Sequence, residues 1–143
     1  MGNSLSMTRN INFEDMQFAI NEQNSWQKTL IINTLDAQSQ SCLIANTLII
    51  DSEVEILNEQ LKKNKDVRII VYGMNATDTN SIKKYEQLMK LGFYNVFIYA
   101  GGLFEWLLLQ DVYGSELFPT TAKKTDILKY KGHRQLNMKM LGY

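Results

Sequence analysis

VRIIVYGMNATDTNSIKKYEQLMKLGFYNVFIYAGGLFEW, residues 67–106, is the stretch that decides the fold. It opens with VRIIVY, residues 67–72, the strongest strand signal in the chain. A polar loop of small residues follows: Gly73, Met74, Asn75, Ala76, Thr77 and Asp78. Ile82, Tyr85, Leu88 and Met89 then recur at helical spacing, and Gly92 stands where a helix ends in a left-handed residue. NVFIY, residues 95–99, predicts a second strand, Gly101-Gly102 a turn, and residues 103–111 a short helix.

The same alternation extends upstream. Asn12 is placed to cap a helix carrying Phe13, Met16, Phe18, Ala19 and Ile20. TLIINTL, residues 29–35, predicts a strand, and so do residues 43–50. Ser52 and Glu55 have the spacing of a capping box, ahead of a helical face made by Val54, Leu57 and Leu61. Strands that alternate with helices in this way predict an α/β fold of three layers, a mostly parallel central sheet with helices on both faces. Sites in such sheets sit at the carboxyl ends of strands, so the loop after Tyr72 is the address to examine.

The order and spacing within residues 67–106 resemble the second half of a rhodanese domain. That family's pattern runs strand, loop C-x-x-x-x-R, helix, G-F-x-N-V, strand and G-G-x-x-x-W. Here Val71-Tyr72, Gly92-Phe93-Tyr94-Asn95-Val96 and Gly101-Gly102 with Trp106 match it. Leu30 to Leu35 and Cys42 to Ile50 take the places of two upstream motifs in degraded form. The likeness covers about residues 10–118, implying a polar arm at 1–10, a rhodanese-like domain at 11–118 and a basic tail at 119–143.

The departures from the family are chemical. The resemblance puts the family's sulfur-carrying cysteine at Gly73, which has no side chain to attack or hold sulfur. It puts the family's loop-closing arginine at Asp78, which reverses the charge and is better suited to capping a helix that starts at Thr79. Asn33 and Leu35 replace the family's Asp and Arg in the first strand motif. Cys42 lies in a different segment, beside Leu43 and Ile44, and reads as a small buried apolar residue. A phosphatase of the related kind would need the same cysteine and arginine.

Composition narrows the remaining classes. Fifteen Lys and Arg balance fifteen Asp and Glu, so net charge gives no reason to expect nucleic acid. One cysteine and one histidine, His133, give no conventional metal site and no internal disulfide, which predicts no metal, no cofactor and a cytoplasmic setting. Met1-Gly2-Asn3-Ser4-Leu5-Ser6 fits a myristoylation signal, making Gly2 a candidate lipidation site in a eukaryotic or eukaryotic-virus protein. A single acyl chain gives marginal membrane affinity, and the basic tail is the visible second signal. Phe104 and Leu108, with Lys129, Tyr130, Lys131 and Arg134, are candidate interface residues.

These features predict a catalytically inactive rhodanese-like module that binds a protein partner or serves as a structural part of a larger assembly. The alternatives are a small-anion sensor using the 73–78 loop and a residual sulfurtransferase. Gly101-Gly102-Leu103 and Phe118-Pro119 loosely resemble the layout of a degenerate rhodanese domain in a centrosomal and ciliary protein, which implies a cytoskeletal or ciliary role by analogy.

Overall fold

The structure, a computed structural model, describes residues 8–22 and 28–136. Its sheet has four parallel strands, β1 (Asn10–Ile11), β2 (Thr29–Asn33), β3 (Arg68–Tyr72) and β4 (Val96–Tyr99), in the order β1-β4-β3-β2. The helices are α1 (Phe13–Asn21), α2 (Ile50–Lys63), α3 (Asn80–Leu91) and α4 (Gly102–Tyr113). This is the expected three-layer α/β architecture with a parallel sheet.

Strand pleating sends successive side chains to opposite faces, and β3 shows the result. Ile70 and Tyr72 join Met16, Ala19 and Ile20 of α1 and Leu103, Trp106 and Leu107 of α4 on one face. Ile69 and Val71 join Leu57 of α2 and Tyr85 and Leu88 of α3 on the other. Both faces of β3 are covered from Ile69 to Tyr72, which is why these four residues are apolar without alternation. The helix ends follow local chemistry. Asn12 and Asp15 form a capping box on α1, and Gly92 closes α3 at φ 115°.

Several expectations need correction. Residues 43–50 form no strand; they make only isolated bridges, Ile31 to Thr47 and Ile44 to Thr120. Asn46 at φ 69° and the Thr47 hydroxyl, which donates to the Ile44 carbonyl at 2.6 Å, turn the chain there. Ser52 does not cap α2, because the helix has already begun at Ile50 and the Ser52 N–H donates to the Ile49 carbonyl. Val54, Ile82 and Met89 are exposed, and Phe18 lies near the Arg68 guanidinium rather than in the core. Asn10 belongs to the sheet rather than to an arm.

The domain also continues past residue 118. The Ala45 N–H donates to the Pro119 carbonyl, the Thr121 N–H to the Leu43 carbonyl and the Trp106 indole N–H to the Pro119 carbonyl. A 3-10 turn, Ile127–Tyr130, then buries the Tyr130 ring in the α1/α4 core. The core on this face would stay open without these residues. Among the described residues no helix is long and apolar enough to cross a membrane.

Candidate functional site

The loop of residues 73–78 lies at the carboxyl end of β3, where the sheet brings it beside β2 and the start of α4. The Leu103 N–H donates to the Gly73 carbonyl at 3.0 Å, and the Phe104 N–H donates to the Met74 carbonyl at 2.9 Å. So close an approach requires glycine at 102. Its φ is 71°, and a Cβ there would lie 2.8 Å from the Gly73 oxygen and 2.9 Å from the Asn75 nitrogen. The Gly101-Gly102 pair, read as a turn from sequence, is the point where α4 docks on the loop.

Inside the loop, Asp78 dominates. Its carboxylate accepts from the Met74 N–H at 3.0 Å through Oδ2 and from the Asn80 N–H at 2.9 Å through Oδ1. α3 starts at Asn80 rather than Thr79, and Asp78 holds its first N–H. Asn75 accepts from the Thr77 N–H at 3.0 Å with its side chain and from the Asp78 N–H at 3.2 Å with its carbonyl. Four backbone donors of the kind that cradle an external anion are thus engaged by the loop's own oxygens. The fixed charge at this helix N-terminus is a carboxylate, already favourably placed against the helix dipole.

Gly73 is buried, and a side chain there would have to displace the Asp78 carboxylate. A Cβ at this position would stand 2.8 Å from Asp78 Oδ2, 3.1 Å from Asp78 Cγ and 3.2 Å from the hydroxyl of Thr34. Thr34 was not singled out from sequence. Its place becomes evident only once β2 and β3 pair, when its N–H and hydroxyl both reach the Tyr72 carbonyl.

The neighbouring polar groups are bonded within the fold. Asn33 and Gln40 form a reciprocal amide pair at 2.8 and 3.0 Å, a neutral contact where the resemblance implied an Asp. The Tyr72 hydroxyl accepts from the Ile44 N–H and bonds to Thr47, and burial pushes its phenol well above the usual range. The Tyr99 hydroxyl donates to Glu105 at 2.5 Å; burial first, and then the carboxylate, push this phenol upward. Cys42 is fully buried among the α1/α4 core residues and its Sγ faces the Ala122 carbonyl at 3.3 Å. Burial raises its pKa, which disfavours the nucleophilic thiolate.

The candidate interface residues separate. Tyr130 is 1% exposed and is removed from the set; its carbonyl accepts from the Asn75 side chain at 2.9 Å. Phe104 is half-buried against the core, whereas Leu108, Lys129, Lys131 and Arg134 are exposed. The myristoylation motif at Gly2 lies outside the described residues.

The model of the family described as the rhodanese-like domain matches residues 20–109. Among solved structures, Ygr203w of Saccharomyces cerevisiae, described as a homolog of single-domain rhodanese and the Cdc25 phosphatase catalytic domain, is 12% identical at a TM-score of 0.63, covering 86% of this chain and 93% of its own. BH2092 of Bacillus halodurans is 16% identical at 0.57, covering 94% and 90%, and Alr3790 of Anabaena sp. is 19% identical at 0.55, covering 83% and 97%. At these identities the structures speak for the fold alone. No curated protein matches. With the parallel sheet, the β3 loop against α4 and a family model spanning most of the domain, the chain belongs to the rhodanese-like domain family.

Proposed function

We propose that this chain is a catalytically inactive rhodanese-like module acting as a protein-binding or structural component of a larger assembly. The observation that carries this reading is Gly73 packed beneath the Asp78 carboxylate, 2.8 Å from where a Cβ would be. Sulfur transfer through a persulfide needs a thiolate at the loop, and this position has no side chain at all. Cys42 offers no substitute, being buried and engaged with Ala122. The same carboxylate argues against an anion sensor, since a ligand would have to displace a tethered negative charge from the Met74 and Asn80 N–H groups. Phe118 and Pro119 are occupied in packing and in bonding Trp106, so they lend the ciliary analogy no separate support.

A thiosulfate-to-cyanide assay tests the proposal. Turnover no greater than a heat-killed control is expected, and clear turnover that Cys42→Ser abolishes would overturn it. Gly73→Cys alone should stay at background, because the new side chain meets Asp78 and no arginine stands there.

A further inference from the structure

The C-terminal segment carries charge that the rest of the molecule does not answer. Six of the fifteen Lys and Arg, but only one of the fifteen Asp and Glu, fall in residues 119–143, giving this segment a formal +5 and residues 1–118 a formal −5. Opposite charges on one chain could have paired. The ion pairs among the described residues are instead Lys63–Glu59, Arg68–Glu22 and Lys84–Glu53, none drawn from the segment. Lys123, Lys129, Lys131 and Arg134 are exposed, while Asp126 is the one acid among them.

This is not a free tail. The bonds of Pro119 and Thr121 to the 43–45 turn fix one end. Tyr130, buried and bonded through its carbonyl to Asn75, fixes the other. The cations near these anchors are therefore held on ordered backbone, which lowers the entropy lost on binding. Leu128 and Leu136 stand among them at 63% and 79% exposure. The cleft beside α4 takes in Lys123 and Lys124 but neither leucine, nor Lys129, Lys131 or Arg134. Apolar side chains that protrude between cations suit a fluid, anionic interface, which supplies its own shape; a folded partner would have to provide matching relief.

We propose that residues 123–136 are a peripheral docking surface for an anionic lipid bilayer. Lys123, Lys129, Lys131 and Arg134 lie at the headgroups, and Leu128 and Leu136 dip into the acyl boundary. The −5 body is repelled by the same surface, so the charge division orients the molecule as well as attracting it. This surface adjoins the β3 loop through Tyr130 and Asn75, but its outward cations and leucines use none of the loop's groups, so it stands whether or not the loop is active.

Flotation of the full, unacylated chain with vesicles tests the proposal. Binding is expected to phosphatidylcholine vesicles containing about 30% phosphatidylserine, but not to phosphatidylcholine alone, with release at high salt. At about fivefold per cation, Lys129→Glu/Lys131→Glu/Arg134→Glu should lower partitioning at least ~100-fold. Leu128→Ser/Leu136→Ser should lower it severalfold. These residues are exposed and form no ion pair among the described residues, Lys129 only standing 5.8 Å from the Tyr130 ring centroid, so the variants should melt like wild type. Absence of binding to the anionic vesicles, or equal binding by the charge-reversed variant, would overturn the proposal. So would capture of polyglutamate without any vesicle binding, which would assign the surface to an acidic protein.

Discussion

The loop after β3 and the C-terminal segment meet through Asn75 and Tyr130, yet they treat charge in opposite ways. In the loop, the half-buried Asp78 is bonded twice to backbone and fills the space beside Gly73. In the segment, four cations and two leucines face outward, and the cations form no ion pair among the described residues. The place where this fold usually presents chemistry is closed from within, and the surface left open lies outside the βαβ frame. Polar side chains at a strand's carboxyl end therefore need sorting by what already satisfies them before they are counted as a site.

The largest effect should come from removing the element that joins the two regions. Deleting residues 119–143 strips the Trp106 indole of its acceptor and opens the α1/α4 core, so cooperative unfolding should be lost in a thermal melt. Tyr130→Ala alone should cost about 3–5 kcal/mol by denaturant titration, in the manner of other large buried aromatics. A full-length stability in the truncated protein would mean that the segment is an appendage.

A smaller effect tests the loop. Asp78→Ala leaves two backbone donors without their acceptor and should cost about 1–3 kcal/mol. Gly73→Ala should also destabilise, since its Cβ would meet Asp78 Oδ2 at 2.8 Å. The double variant should be more stable than the two losses predict, with a coupling of about 1 kcal/mol or more. Additive losses would show that the carboxylate does not fill the space beside Gly73.

Cys42 should react slowly with a thiol reagent in the native protein and rapidly in denaturant. Its raised pKa means less thiolate at neutral pH, so the native rate should still be climbing above the pH at which a free thiol levels off. Smallest of all, Lys129→Glu, Lys131→Glu and Arg134→Glu should each change stability by no more than about 0.5 kcal/mol, as expected of surface charges outside any ion pair. A large loss there would reveal a contact and collapse the contrast with Asp78.

How far these regions were legible in the sequence follows from what holds each together. β3, α3 and the Gly92 cap are set by local periodicity and by a residue with a special φ, so they read directly. The vacant side chain at 73 was visible from the family pattern, whereas the role of Asp78 was only half visible. Its cap on Asn80 is local, but its bond to Met74 and its position beside Gly73 depend on the closed loop. β1 is a two-residue edge strand that only β4 defines, and no periodicity can announce it. Residues 43–50 have the composition of a strand, but the turn at Asn46 and Thr47 feeds them into α2. Tyr130 sits amid basic residues and read as surface; pairing of the segment with the 43–45 turn brings its ring into the core.

The central claim is that the β3 loop has no group able to carry sulfur, and intact mass after incubation with thiosulfate addresses it without relying on turnover. The native chain should keep its mass. Gain of one sulfur atom, mapped to Cys42 and lost in Cys42→Ser, would show that the buried thiol reaches substrate and would contradict the account.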